Sequence, residues 1–227
     1  MSATSTLVFD PRCKDCSRLA AFLRQTARKY PAYHCAPVAP FGDPEARLLI
    51  VGLAPGMHGA NATGRPFTGD YAGILLYRTL FEFGFSNGPE SLSRDDGLEL
   101  HDCRITNAVK CLPPQNKPLP AEIRQCNPYL GNELARLPRG AVILALGRIA
   151  HEAVVRALGL RSAAHRFEHG RVHHLADGRM LVDCYHCSRY NTQTRRLTGE
   201  MFTAVFQCVR ELLDDGPAAV SMIARQR

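Results

Sequence analysis

A chain of 227 residues, 45% hydrophobic and 22% charged, can bury roughly 70% of its unfolded surface in one domain and is too apolar to stay disordered. Its longest unbroken apolar run, AVILAL, is far too short to cross a bilayer, which argues against a membrane protein. A net charge of +7 is compatible with a polyanionic partner, but it is also common in proteins that merely stay soluble.

The first stretch, MSATSTLVFDPRCKDC, has neither the basic start nor the apolar core of a signal peptide, so a cytoplasmic protein is expected. Nine cysteines in that setting suggest ligands and buried thiols rather than a disulfide framework. Cys13 and Cys16 form a C-x-x-C that opens a helical pattern, CSRLAAFLRQTARKY. A first strand candidate follows at Ala46–Ala54, then the loop GLAPGMHGANATGRPFTGD, then a helix, DYAGILLYRTLFEFGF. The second strand candidate is Asp102–Val109, and the next helix is AEIRQCNPYLGNELARL, which Pro128 is expected to break in two. AVILALG, Ala141–Gly147, is the third strand, followed by the helix GRIAHEAVVRAL. HRFEHGRVHHLADG reads as a short extra hairpin or loop, MLVDCYH as the fourth strand and GEMFTAVFQCVRELLDD as the last helix.

Short apolar strands alternating with helices predict a three-layer α/β/α fold with a four-stranded, mainly parallel sheet. No linker, repeat or low-complexity tract interrupts the pattern, so residues 1–227 are expected to form a single domain, and a monomer. The residues with unusual chemistry all follow strands: GLAPG the first, NAVKC the second, LG the third and YHCSRYN the fourth. Ligands of open α/β sheets bind outside the carboxyl ends of the strands, so these segments should converge on one pocket.

Cys13, Cys16, Cys111 and Cys126 form a candidate four-thiolate site, which suits structural zinc or an iron–sulfur cluster, and spacing alone does not separate the two. Cys35, Cys103, Cys184 and Cys208 are read as small buried hydrophobes. A redox role for the C-x-x-C would normally place it after a strand, whereas here it precedes the sheet. GLAPG is neither a dinucleotide fingerprint nor a phosphate loop ending in Lys-Ser/Thr.

GLAPGMHGANATGRPFTGD, ITNAVKCLPPQNKP and YHCSRYNTQTRRLT resemble, in order, the three characteristic segments of the family 5 (type B) uracil-DNA glycosylases. RCKDC and EIRQC resemble the cysteine pattern of families 4 and 5. The matches run from about Cys13 to Thr198. The resemblance implies a uracil-glycosylase fold, a [4Fe-4S] cluster on Cys13, Cys16, Cys111 and Cys126, and removal of uracil and other damaged bases from DNA by hydrolysis of the N-glycosidic bond. Leu53 stands where family 4 carries an acidic residue, which sides with family 5. Cys187 stands where family 5 usually carries proline.

An enzyme acting on a base must first take it out of the stack. Gly52, Leu53 and Ala54 would let the backbone approach the base, Phe67 would stack on it, and Asn107 would read its edge, donating to uracil O4 and accepting from N3–H. His186 would donate towards O2 as the base departs with negative charge. Asp70 would prepare a water or favour the cationic sugar, although an aspartate before YAGILLYRTL also makes a good helix cap. His58 and Asn61 could polarise the same water. Asn116, Lys117, Ser188, Arg189, Arg195 and Arg196 are candidate DNA contacts, with Tyr190 or Leu197 as a wedge in the duplex. A nucleic-acid-binding iron–sulfur protein without glycosylase activity is the alternative.

Overall fold

The computed structural model describes residues 9–215. Helix α1, Ser17–Lys29, precedes a six-stranded sheet. Its strands are β1 (Phe41–Gly42), β2 (Leu48–Gly52), β3 (Cys103–Asn107), β4 (Val142–Leu146), β5 (Val172–His174) and β6 (Met180–Cys184). They lie in the order β1-β3-β2-β4-β6-β5. The four central strands are mutually parallel and correspond to the four predicted runs. The sheet is nevertheless mixed rather than four-stranded, because β1 and β5 pair antiparallel at its two edges. Elements of two and three residues are too short to show a periodic apolar pattern. β5 and β6 form the hairpin suggested by HRFEHGRVHHLADG.

β2 and β4 are apolar on both sides, and their residues divide by parity. Leu48 and Ile50 join the layer formed with α3 (Tyr71–Glu82) and α7 (Gly199–Asp215), through Leu76, Leu80, Phe202 and Phe206. Leu49 and Val51 join the opposite layer, formed with α4 (Pro120–Ala135) and α5 (Arg148–Ala157), through Leu130, Leu134 and Val154. This is the expected three-layer arrangement. Two short helices, α2 (Ala60–Thr63) and α6 (Arg189–Gln193), lie in the loops after β2 and β6. No helix among the described residues is long and apolar enough to cross a membrane.

Two expectations need correction. Helix α4 continues through Pro128 instead of breaking there. Pro128 and Arg124, whose carbonyl loses its helical partner, are both on the exposed face, where solvent can satisfy that carbonyl. Cys103 and Cys184 are buried as expected, but Cys35 and Cys208 are only partly so. Cys187, in the place of the family's proline, is fully buried within the α3–α7 layer.

Beside the β5–β6 hairpin lies a buried cluster with no counterpart in the sequence reading. His151 Nδ1 is 2.6 Å from Asp183 Oδ1, and His173 Nε2 is 2.9 Å from Asp183 Oδ2. The other nitrogen of His151 is 2.9 Å from the His165 carbonyl oxygen, so both ring nitrogens face acceptors and the ring suits the protonated form. Burial opposes that charge, but the Asp183 hydrogen bond and carboxylate outweigh it and hold the His151 pKa above its usual value. Burial likewise opposes the Asp183 charge, and the two histidines overcome it, holding the Asp183 carboxyl below its usual range.

The contribution of a raised histidine is present below its unfolded value, about pH 6.5, and is lost as pH rises through its folded one. The contribution of a lowered aspartate is present above about pH 3.9 and is lost as pH falls. Asp183→Asn should therefore lower the thermal unfolding midpoint, by the equivalent of about 3–5 kcal/mol, most strongly between these limits. Melts of both proteins at about pH 5.5 and about pH 9 check this, with the smaller difference expected at the higher pH.

Candidate active site

The strand ends place the site. β2 pairs with β3 in a register that sets Gly52 opposite Asn107. A Cβ on Gly52 would lie 2.5 Å from Asn107 Oδ1 and 2.7 Å from Phe67 Cζ, so the ring and the carboxamide both lean on a bare Cα. On the other side of β2, a Cβ on Gly147, just after β4, would come within 3.3 Å of His186 Cβ. The His186 and Phe67 rings stack 6.0 Å apart at 27°. Loops that are distant in sequence thus meet outside the carboxyl ends of β2, β3, β4 and β6, as the sequence pattern predicts.

Phe67 is held in a left-handed conformation, φ 56°, which costs a residue with a side chain roughly 1–3 kcal/mol. The surrounding loop holds it there. The buried Tyr77 hydroxyl donates to the Pro66 carbonyl at 2.6 Å, and Arg65 pairs with Asp96 at 2.6 Å. Gly73 in the first turn of α3 is equally necessary, because a Cβ there would fall 1.8 Å from the Phe67 carbonyl oxygen.

Asp70 caps α3, its Oδ1 accepting from the Gly73 N–H at 2.9 Å. Oδ2 lies on the other side, where Cβ atoms on Gly59 and Gly56 would meet it at 2.7 and 3.4 Å. Capping and the pocket therefore use different oxygens of one carboxylate. Burial raises the Asp70 pKa against the opposing hydrogen bonds from Gly73 and Ala72. Burial also pushes His186 down to about 4, so its imidazole is neutral near pH 7.

Leu53, Ala54, His58, Phe67, Asp70, Asn107 and His186 line one open pocket, with Gly52 beneath Phe67 and Asn107. Asn116, Ser188, Arg189 and Tyr190 stand at its mouth, and Tyr190 is 71% exposed. Arg196 lines an adjoining recess with Arg148, its guanidinium 4.8 Å from the Tyr185 ring. Arg195 lies in a separate recess beside Tyr71 and Ile74. Lys117 is exposed, and its carbonyl accepts from Arg18.

Two candidates do not belong to the pocket. Leu197 is 0% exposed in the core and has no free face to enter a duplex. Asn61 is fully buried, its amide directed at the Met57 carbonyl and Cys35 Sγ, so it fastens the loop and reaches no water in the pocket. Two residues beside the site were missed. Tyr33 bonds to His58, and Arg148 opens α5 beside the pocket. Neither lies in one of the quoted motifs; the position of Arg148 directly after the third strand was the available signal.

Cys13, Cys16, Cys111 and Cys126 come together around a second pocket, walled by Leu19, Val109 and Tyr129. None of the four is in a disulfide. Burial, followed by the charges of the other cysteines, pushes Cys16 up to about 11 and Cys111 up to about 12. A bound cation reverses that balance, because thiolate ligands then neutralise it. The donor set therefore fits a thiolate-held metal group, tying the start of α1 to the segment after β3.

Residues 39–210 match the Uracil DNA glycosylase superfamily. The chain is 50% identical to the type-5 uracil-DNA glycosylase of Thermus thermophilus, over 88% of this chain and 93% of that protein. It is 44% identical to the type-5 uracil-DNA glycosylase of Pyrobaculum aerophilum, over 86% of each chain. It is 37% identical to the type-4 uracil-DNA glycosylase of Archaeoglobus fulgidus, over 48% of this chain and 47% of that protein.

The depressed pKa of His186 has a direct test. In a histidine NMR titration, with the resonance assigned through His186→Gln, the ring should stay neutral down to about pH 4. A midpoint near the unperturbed value of about 6.5 would show that water reaches it freely.

Proposed function

The chain belongs to the uracil DNA glycosylase superfamily, alongside its type-5 enzymes, and on that premise we propose that the pocket above Gly52 takes a uracil extruded from DNA. It is a uracil-DNA glycosylase, a hydrolase of DNA repair. The assignment of its residues rests on one observation above the others, the meeting of the Phe67 ring and the Asn107 carboxamide on the bare Cα of Gly52. That arrangement sets an aromatic ring beside a donor–acceptor pair, which suits one edge of a pyrimidine. The Asn107 amide donates to O4 and accepts from N3–H, whereas cytosine presents the opposite pattern and leaves both groups unpaired. Leu53 and Ala54 add no polar group to the wall, so other deaminated or damaged bases are further expected substrates.

In the reaction the C1′–N1 bond breaks with both electrons leaving on the base, and a water oxygen bonds to C1′ as its proton goes to Asp70. Oδ1 accepts from the Gly73 N–H in the helix cap, and Oδ2 is the oxygen assigned to this step. Its negative charge also favours the cationic sugar. His186, neutral through burial, donates an N–H towards O2 as charge gathers on the base. Asn116, Ser188, Arg189, Arg196, Arg195 and Lys117 supply phosphate donors, and exposed Tyr190 occupies the place of the departed base.

The thiol set is assigned a [4Fe-4S] cluster on Cys13, Cys16, Cys111 and Cys126. When bound, such a cluster contributes structure here rather than reaction chemistry, since it lies in a pocket separate from Asp70 and His186. Anaerobically purified protein should contain about four irons per chain. Replacing Cys16 or Cys126 by serine should lose iron and lower the melting temperature, while Cys208→Ser should do neither. Stoichiometric zinc without iron would overturn the cluster.

The activity itself is tested with duplexes carrying one uracil or another lesion, cleaved by alkali at abasic sites. Asp70→Asn should keep DNA affinity and its melting temperature, because asparagine caps a helix comparably, but lose about 10²–10⁴-fold in single-turnover excision. An Asp70→Asn protein that cuts at the wild-type rate would leave Asp70 only a cap.

A further inference from the structure

His58 stands on the exposed rim of the base pocket, and its Nδ1 lies 2.9 Å from the hydroxyl oxygen of Tyr33. Tyr33 is itself held: its ring stacks on Tyr30 at 4.7 Å and 12°. Tyr30 also meets the His58 ring edge-on, at 5.5 Å and 88°. Tyr30 is the carboxyl-terminal cap of α1, the helix whose amino-terminal cap is Cys16. His58 is thus gripped by two aromatic rings that belong to the amino-terminal segment rather than to its own loop.

A phenol is a good donor, and a neutral imidazole has one lone pair to offer. With the Tyr33 O–H as donor and Nδ1 as acceptor, the ring proton is left on Nε2. We infer that Tyr33 is a positioning residue that fixes His58 in the Nε2–H tautomer, making it a hydrogen-bond donor to a phosphate oxygen of the extruded nucleotide. In that state the ring has no lone pair left to accept a proton from water, so Asp70 is the acceptor in the site. The place agrees with the role. His58 shares the pocket mouth with Asn116, Ser188 and Arg189, which are all donors, while the half-buried Asp70 lines the same pocket. The inference rests on the glycosylase reading only for the identity of the acceptor.

Two measurements test it. In DNA-free protein with 15N-labelled histidine, at about pH 8, long-range 1H–15N spectra should show His58 with a proton on Nε2 and a bare Nδ1. Tyr33→Phe should then give a mixture of tautomers. In single-turnover excision, Tyr33→Phe and His58→Ala should each raise the enzyme concentration for half-saturation about tenfold. The saturating rate should stay close to wild type, and the double variant should be no worse than His58→Ala. A Nδ1–H tautomer in the wild-type chain overturns the inference, as does a fall in the saturating rate with half-saturation unchanged. The tautomer measurement needs neither DNA nor activity, so it stands or falls separately from the release of uracil.

Discussion

The site depends on a residue with no side chain. Gly52 ends a strand buried on both faces, and its Cα is the floor on which the Phe67 ring and the Asn107 carboxamide rest. Any Cβ would push both away, because each approaches to less than 3 Å of where it would sit. The parallel pairing of β2 with β3 brings Asn107 to that floor, and the strained loop brings Phe67. Gly73 then allows α3 to begin directly against the Phe67 carbonyl. One close approach thus links strand register, loop conformation and the start of a helix.

Around this floor, burial sets the protonation states. Partial burial lowers the His186 pKa to about 4 and raises that of Asp70, in each case shifting the balance towards the neutral form. A neutral imidazole suits a donor, and a carboxyl raised above its ordinary range suits a base that must take a proton. Asp70 caps α3 through Oδ1, while its Oδ2 lies towards Gly56 and Gly59. The buried His151–Asp183–His173 cluster follows the opposite logic. There His151 and Asp183 favour their charged forms by pairing, and Asp183 also bonds His173, which fastens the hairpin whose second strand leads to His186.

The amino-terminal segment connects the two pockets. Helix α1 begins at the thiol set and ends at the aromatic pair that grips His58. A metal group at one end of a helix of 13 residues would thereby hold a side chain at the rim of the other pocket. A group bound at the thiol set would then act mechanically on the base pocket.

The sequence alone determined the four parallel strands, the helices between them and the convergence of their carboxyl ends, because buried strands and amphipathic helices carry periodic apolar signals. It also determined the candidates Phe67, Asp70, Asn107 and His186, since these lie in motifs long enough to resemble one family. The tertiary structure decided what depends on which neighbour is within reach. Two- and three-residue edge strands have too few positions to form a pattern. Pro128 is tolerated in a helix because it faces water, and Leu197 is disqualified as a wedge because it faces the core. Asn61, polar in a polar-looking loop, turns inward to the backbone. Tyr33 lies 25 residues before its partner His58, and only folding places a hydroxyl beside that ring. Composition and periodicity record which residues are buried, but a hydrogen bond between distant residues is a property of the packed chain.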